Sequence, residues 1–209
     1  MKIIIPARMG SKGLPFKNRK LLRYTLDMIP AKYEVALVSD DEEIQRLAVN
    51  YPNVIIMNRP AELSTDVAST KDVVSWTINK LKWSSETIIM LYLTYPQRKW
   101  EHVKSALHRF LSTDAESMLC KKEIEWTPFL VLKEEHDHKG SQLFHHDLYR
   151  RQDYPKCFEV SHYISIFRGY AINKLNNNLY NNDTIYFPID SVIDVDEQKD
   201  LNKFLNENQ

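Results

Sequence analysis

Apolar residues fall in short runs along this chain, and longer stretches of helical period separate the runs. Residues 3–5 are all isoleucine, and after a basic loop apolar positions resume from Leu21 at helical spacing. Residues 34–38 form a second run, followed by Ile44, Leu47 and Ala48 on one helical face. Residues 54–57 form a third, and beyond a polar connection over 59–66 the periodic set is Val73, Val74, Ile78 and Leu81. Residues 88–93 are the most apolar stretch, which predicts a central strand buried on both faces. Thr94, Tyr95 and Pro96 break it, and Trp100, Val103, Ala106, Leu107 and Phe110 mark the next helix. Strands alternating with helices of this length predict an α/β fold with a doubly wound, mostly parallel sheet.

After Ala115 the rhythm is lost. Residues 117–120, 129–133 and 163–168 read as strands, and the charged residues 134–140 read as an exposed loop. A short helix over 170–175, an Asn-rich turn over 176–182, a strand end over 191–196 and a helix carrying Leu201, Phe204 and Leu205 complete the chain. With no internal repeat and no long linker, residues 1–209 are expected to form one domain, and the irregular part an excursion from its sheet.

Composition narrows the partners. A chain of 209 residues can bury a sizeable core. It carries 28 basic and 28 acidic residues, so no broad basic surface is expected and nucleic acid is not an expected partner. Cys120 and Cys157 have no C-x-x-C spacing, which fits a reducing compartment. No apolar run nears the ~20 residues of a membrane span, and no signal-peptide core follows Met1. The chain therefore reads as cytoplasmic, with no membrane association.

Any anion site must then be local, and the loop after the first strand is the candidate. It holds Gly10 and Gly13, two of the four glycines in the chain, among Arg8, Lys12, Lys17, Arg19 and Lys20. Glycine lets backbone N–H groups approach a ligand, and strand, basic glycine loop and helix is a common phosphate-holding order. Neither G-x-x-x-x-G-K-[ST] nor G-x-G-x-x-G is present, and a solvated surface turn is the competing reading. Polar groups also follow the later strands: Asp40 and Asp41, Arg59, residues 94–98, and Asp194 with Asp196. In extended chain Asp194 and Asp196 project from one face, which suits a hard divalent cation; alternatively Asp196 caps the last helix. His136, His138, His145 and His146 lack zinc-type spacing and read as part of a solvated hairpin, and no G-x-S-x-G is present.

The motifs together resemble one family. "IPARMGSKGLPFKNRKLL" is similar to the phosphate-binding signature I-x-A-R-x-x-S-K-G-x-P-x-K-N of the bacterial cytidylyltransferases that activate nine-carbon acidic sugars, the CMP-acylneuraminate synthetases and their relatives. "VSDDEEI", "NRPAELSTDVAST", "LYLTYPQR", "RRQDYP" and "DSVIDVDEQKDL" resemble further segments of that family, in its order and across nearly the whole chain. The resemblance implies a sheet of the nucleotide-diphospho-sugar transferase type. It implies a reaction in which a sugar's anomeric hydroxyl attacks the α-phosphorus of CTP and pyrophosphate leaves. It places Arg8, Gly10, Ser11, Lys12, Asn18 and Arg59 along the nucleotide, with Arg8 and Lys17 stabilising the transition state. It makes Asp194 and Asp196 ligands of Mg2+, Asp196 also assisting removal of the sugar's proton. It implies a homodimer whose contact is the excursion over 121–155.

The sugar side departs from the pattern. Tyr92 stands where the family has glutamine, Leu93 where it has proline, and Tyr95 where it has serine. In "FEVSHYISI" Glu159 replaces an arginine, and Ser161 and His162 replace Asn-Gly. Tyr92, Thr94, Tyr95, Ser161 and His162 are the expected sugar-pocket residues. Another acidic sugar, a polyol phosphate, or nucleotide binding without turnover are the alternatives these departures leave.

Overall fold

The expected alternation of strands and helices is present across the first half of the chain. The structure is a computed structural model describing residues 1–10 and 13–207. It runs β1 (Lys2–Ala7), α1 (Lys17–Leu26), β2 (Val35–Ser39), α2 (Glu42–Ala48), β3 (Val54–Asn58), α3 (Thr70–Leu81), β4 (Thr87–Met90) and α4 (Trp100–Leu111). Then follow β5 (Ser117–Glu123), the short strands β6 (Leu132–Glu134) and β7 (Gly140–Gln142), β8 (Phe158–Arg168), β9 (Ile185–Pro188) and α5 (Gln198–Glu207).

Seven strands form one sheet in the order β3-β2-β1-β4-β8-β5-β9. The first four are parallel; β8 lies antiparallel between β4 and β5, and β9 is parallel to β5. The sheet is thus mostly parallel and wound on both faces, as expected. Alternate residues sort to opposite sides. Ile3, Ile5, Val35 and Leu37 meet the apolar faces of α1, α2, α4 and α5, whereas Ile4, Ala36 and Val38 meet Val73, Val74 and Ile78 of α3. Both layers exclude water from the sheet, which is why its inner strands read as unbroken apolar runs.

Several expected boundaries move. β1 outlasts the isoleucine run over 3–5, continuing through Pro6 to Ala7 in register with β2. The ladder with β4 ends at Ile4 opposite Met90, and Ile3 N–H bonds toward β2, so the side on which Pro6 lacks a donor is the side without a β4 partner. Residues 129–133 are not one strand: Pro128–Leu130 is a 3-10 turn, led by Pro128, and only Leu132–Glu134 pairs, with β7. The expected loop over 134–140 is the tip of that hairpin. β8 begins at Phe158, five residues earlier than its apolar core suggests, because its exposed first half pairs with β5. β9 replaces the strand expected over 191–196. That later segment runs beside the chain after β4, where Val195 N–H donates to the Thr94 carbonyl at 2.8 Å.

His136 and His138 sit in an exposed turn, as the solvated hairpin predicts. His146 does not. It packs against the rings of Phe129 and Tyr154, accepts the Leu148 N–H on Nδ1 and so donates from Nε2 to the Phe129 carbonyl at 2.7 Å. Among the described residues no helix is long and apolar enough to cross a membrane.

Candidate active site

At the carboxyl ends of β1 and β4 the chain leaves a cleft of about 630 Å³. A parallel sheet opens its ligand crevice at this end. The turn after β1 is fixed by polar contacts before any ligand arrives. Asp40 accepts Met9 N–H at 2.8 Å, and Asn18 donates to the Arg8 carbonyl at 2.8 Å. Asp41, fully buried, caps α2 through the N–H groups of Glu43 and Ile44 and takes Arg19 Nε at 2.8 Å. The acidic pair after β2 therefore shapes the loop and lies outside the cleft lining.

Gly13 has a specific reason to be glycine. A Cβ there would sit 2.6 Å from the backbone carbonyl oxygen of Asp196, so the loop can approach the C-terminal segment only without a side chain. At Gly10 a Cβ would meet nothing within 4 Å, because that residue borders the open cleft. Neither glycine has positive φ; among the described residues of this loop the left-handed one is Phe16, at φ 54°, immediately before α1.

Of the residues expected in the site, Arg8, Gly10, Lys17, Asn18, Arg59, Tyr92, Thr94, Tyr95, His162, Asp194 and Asp196 all line this one cleft. Ser11 and Lys12 lie outside the described residues. Ser161 does not line the cleft but stands behind it, its hydroxyl 3.5 Å from that of Tyr95. Glu159 pairs with Lys122 at 3.7 Å on β5, away from the cleft, so it presents no charge to a ligand there.

Each described cation of the cleft lining is already engaged. Lys17, buried at the start of α1, donates to Asp196 Oδ1 at 2.6 Å. Arg8 donates to the carbonyls of Thr65 and Gly10, each at 2.9 Å, and pairs with Asp66 at 2.9 Å. Arg59 is buried and donates from two nitrogens to the Leu63 carbonyl, and burial holds its pKa below the ordinary guanidinium value. Arg59 thus braces the turn leading to α3 while lining the cleft.

The opposite wall is aromatic. Tyr92 OH donates to Thr70 Oγ1 at 2.6 Å, and its ring meets that of His162 edge-on at 5.7 Å. Burial raises the pKa of both Tyr92 and Tyr95, and lowers that of His162, so all three are neutral near pH 7. Asp194 raises Tyr95 further, by its charge and as a hydrogen-bond acceptor.

Sequence reasoning counted Arg98 only among the polar groups over 94–98; it lies beneath this wall and is 3% exposed. It donates to the carbonyls of Tyr163 and Tyr92, at 2.7 and 2.8 Å, and spans the rings of Tyr95 and Tyr163. Burial pushes its pKa down to about 10. It ties the chain after β4 to β8 and so supports the aromatic wall. Its position at the end of "LYLTYPQR" was visible, but its burial was not.

The last helix is capped otherwise than expected. Asp200 accepts the N–H groups of Asp196 and Glu197, at 3.1 and 2.8 Å, which leaves the Asp196 carboxylate to Lys17. Asp194 and Asp196 line the cleft while Val195 between them is fully buried, the alternation of extended chain. Among the described residues no group of three or more His, Cys, Asp or Glu side chains surrounds a metal position. Two carboxylates, one of them 69% exposed, nevertheless fit Mg2+, which takes one or two carboxylates and completes its shell with water and phosphate oxygens.

The profile of the family described as cytidylyltransferase matches residues 2–207. The N-acylneuraminate cytidylyltransferase of Streptococcus agalactiae serotype V is 30% identical over 162 residues, 72% of this chain and 39% of that protein. The pseudaminic acid cytidylyltransferase of Campylobacter jejuni is 32% identical over 135 residues, 59% of this chain and 58% of that protein. The chain spans under two-fifths of the length of the streptococcal relatives it matches. A CMP:2-keto-3-deoxy-manno-octonic acid synthetase solved with CTP shares the fold, with a TM-score of 0.71 at 16% identity, over 100% of this chain and 99% of that one.

Gly13→Ala is expected to destabilise the protein by roughly 1–3 kcal/mol, because the obstructing atom is backbone and the loop must shift. Urea denaturation measures this; unchanged stability would mean that the loop does not pack on Asp196.

Proposed function

This chain belongs to the cytidylyltransferase family, and from that premise we propose that it transfers CMP from CTP to the anomeric hydroxyl of an acidic, nonulosonic-type sugar, releasing pyrophosphate. One observation carries the proposal: Arg8, Lys17, Asn18 and Arg59 meet Asp194 and Asp196 in a single cleft, facing a wall of neutral aromatic groups. The names of the relatives support the same class of sugar.

In this reading the triphosphate lies along the β1–α1 turn. Backbone at Gly10 and the side chains of Arg8 and Lys17 offset the charge that shifts onto the departing pyrophosphate. The sugar oxygen forms a bond to the α-phosphorus as the bond to the β-phosphate oxygen breaks, and the hydroxyl proton passes to a carboxylate. Asp194 is better placed for that proton than Asp196, because it stands at the aromatic wall beside Tyr95 whereas Asp196 holds Lys17. Asp194 and Asp196 would hold Mg2+, which when bound supplies Lewis-acid charge at the phosphates. Tyr92, Tyr95 and His162 orient the sugar through neutral hydrogen-bonding groups and ring faces. The sugar's carboxylate is met by the nucleotide-side cations, since the wall carries none among the described residues.

The arm between β5 and β8 supports a homodimer. Trp126, Leu130, Leu132 and Leu143 are all exposed on it, an apolar area that a second copy would cover.

CTP with Mg2+ is expected to raise the melting temperature, and pyrophosphate is expected to appear with at least one nonulosonic acid from a panel. Lys17→Ala should lower kcat/KM by ~100-fold or more. CTP binding without pyrophosphate release from any sugar would favour a nucleotide-binding homologue instead. Light scattering is expected to give twice the chain mass; a monomer at micromolar concentration would overturn the dimer.

A further inference from the structure

Asp194 is exposed, so a carboxylate that is to take a proton from one direction needs a neighbour to hold it. Its backbone is already strapped to the chain after β4. Val195 N–H donates to the Thr94 carbonyl at 2.8 Å, and Ile193 N–H donates to Gln97 Oε1 at 3.2 Å. These bonds bring Asp194 beside Tyr95, which is buried. The Arg98 guanidinium lies 5.5 Å from the centre of the Tyr95 ring, and the Tyr163 ring meets it edge-on, also at 5.5 Å. Packing on β8 and Arg98, and not Asp194 itself, therefore sets where the Tyr95 hydroxyl stands.

The hydrogen bonds behind the wall also give that hydroxyl a direction. Ser161 Oγ accepts the Tyr163 N–H at 3.2 Å, and its own proton is given to the Tyr95 oxygen at 3.5 Å. With its oxygen accepting from Ser161, Tyr95 has its O–H to give, and Asp194 is the acceptor. Burial keeps Tyr95 protonated, so it donates at neutral pH. The 3.5 Å contact is long for two hydroxyls, which makes Ser161 the weaker link. Tyr95 and Ser161 stand where the family pattern has serine and asparagine, so two separate departures in sequence form one contact in the fold.

We propose that Tyr95 is a positioning residue for Asp194: aimed by Ser161 and held by Arg98, its hydroxyl fixes one carboxylate oxygen and leaves the other facing the cleft to receive the sugar's proton. The inference rests on the reaction proposed above. Tyr95 keeps its own proton throughout, meeting the sugar with its ring and Asp194 with its hydroxyl. An aspartate without such a partner is free to turn, and only part of its orientations suit the transfer. The effect therefore falls on turnover and not on affinity for the sugar.

Pyrophosphate-release kinetics with CTP, Mg2+ and a panel of nonulosonic acids that includes N-acetylneuraminic and pseudaminic acid compare the wild type, Tyr95→Phe, Ser161→Ala and the double variant. A melting curve verifies the fold of each. Tyr95→Phe retains the ring and is expected to lower kcat about 10-fold with both KM values nearly unchanged, the size of one hydrogen bond to a charged group. Ser161→Ala should lower kcat about 3-fold, and the double variant no further than Tyr95→Phe alone, because Ser161 acts through the Tyr95 hydroxyl. A raised sugar KM at unchanged kcat, or losses that multiply in the double variant, would overturn the role. Crystal structures of metal-free wild type and Tyr95→Phe give a second readout. The Asp194 carboxylate is expected on the Tyr95 hydroxyl in the first and turned away from that position in the second. If the wild type releases pyrophosphate while Asp194 keeps one orientation in both crystals, the positioning role is wrong and the proposed reaction stands. If no acid of the panel yields pyrophosphate, the proposed reaction fails and this inference with it.

Discussion

Lys17 and Asp196 are 179 positions apart in sequence and 2.6 Å apart in space. Around that contact the first loop and the C-terminal segment are closed on one another. Gly13 lies against the Asp196 carbonyl, Val195 is bonded to Thr94, and Asp200 holds the chain as it turns into α5. The segment over 193–197 is therefore the fourth side of a cleft whose other sides come from β1, β3 and β4. Without the sheet to bring these ends together, the basic loop would be a solvated turn, which is what the loop alone could equally have been.

Charge in this cleft is arranged in layers. Exposed carboxylates pair with more enclosed cations on the side of the β1–α1 turn. On the other side neutral rings cover Arg98, whose guanidinium is sunk between Tyr95 and Tyr163. A buried guanidinium is costly unless it is bonded, and its bonds to the carbonyls of Tyr92 and Tyr163 join the chain after β4 to β8 beneath the aromatic wall. The departures from the family's sugar-side pattern look less disruptive in this light. Glu159, where arginine was expected, turns to Lys122, and Tyr92 is held by Thr70 in a wall of its own design.

Much of this was legible in the chain because burial leaves a periodic trace. β1 to β4 and their helices follow directly from apolar spacing, since strands covered on both faces have no polar face to confuse the pattern. The trace fades where exposure is mixed. The first half of β8 is largely exposed and β9 is four residues long with none of them buried, so neither stood out, and residues 191–196 imitated a strand although they pair with no strand of the sheet. The residues singled out by motif resemblance, Arg8, Lys17, Asp194 and Asp196, lie along one cleft. The resemblance could not indicate that Asp66 would cover Arg8, that Arg98 would be buried, or that Asp200 would take over the helix cap, because each depends on which side chain reaches which neighbour.

If the loop after β1 and the segment carrying Asp194 and Asp196 form a single nucleotide site, they must respond to it together. Amide hydrogen exchange with and without CTP and Mg2+ measures this directly. Slowed exchange is expected at once over residues 8–18 and 193–200, with little change in the arm between β5 and β8. Protection of only one of the two segments, or of neither, would contradict the account.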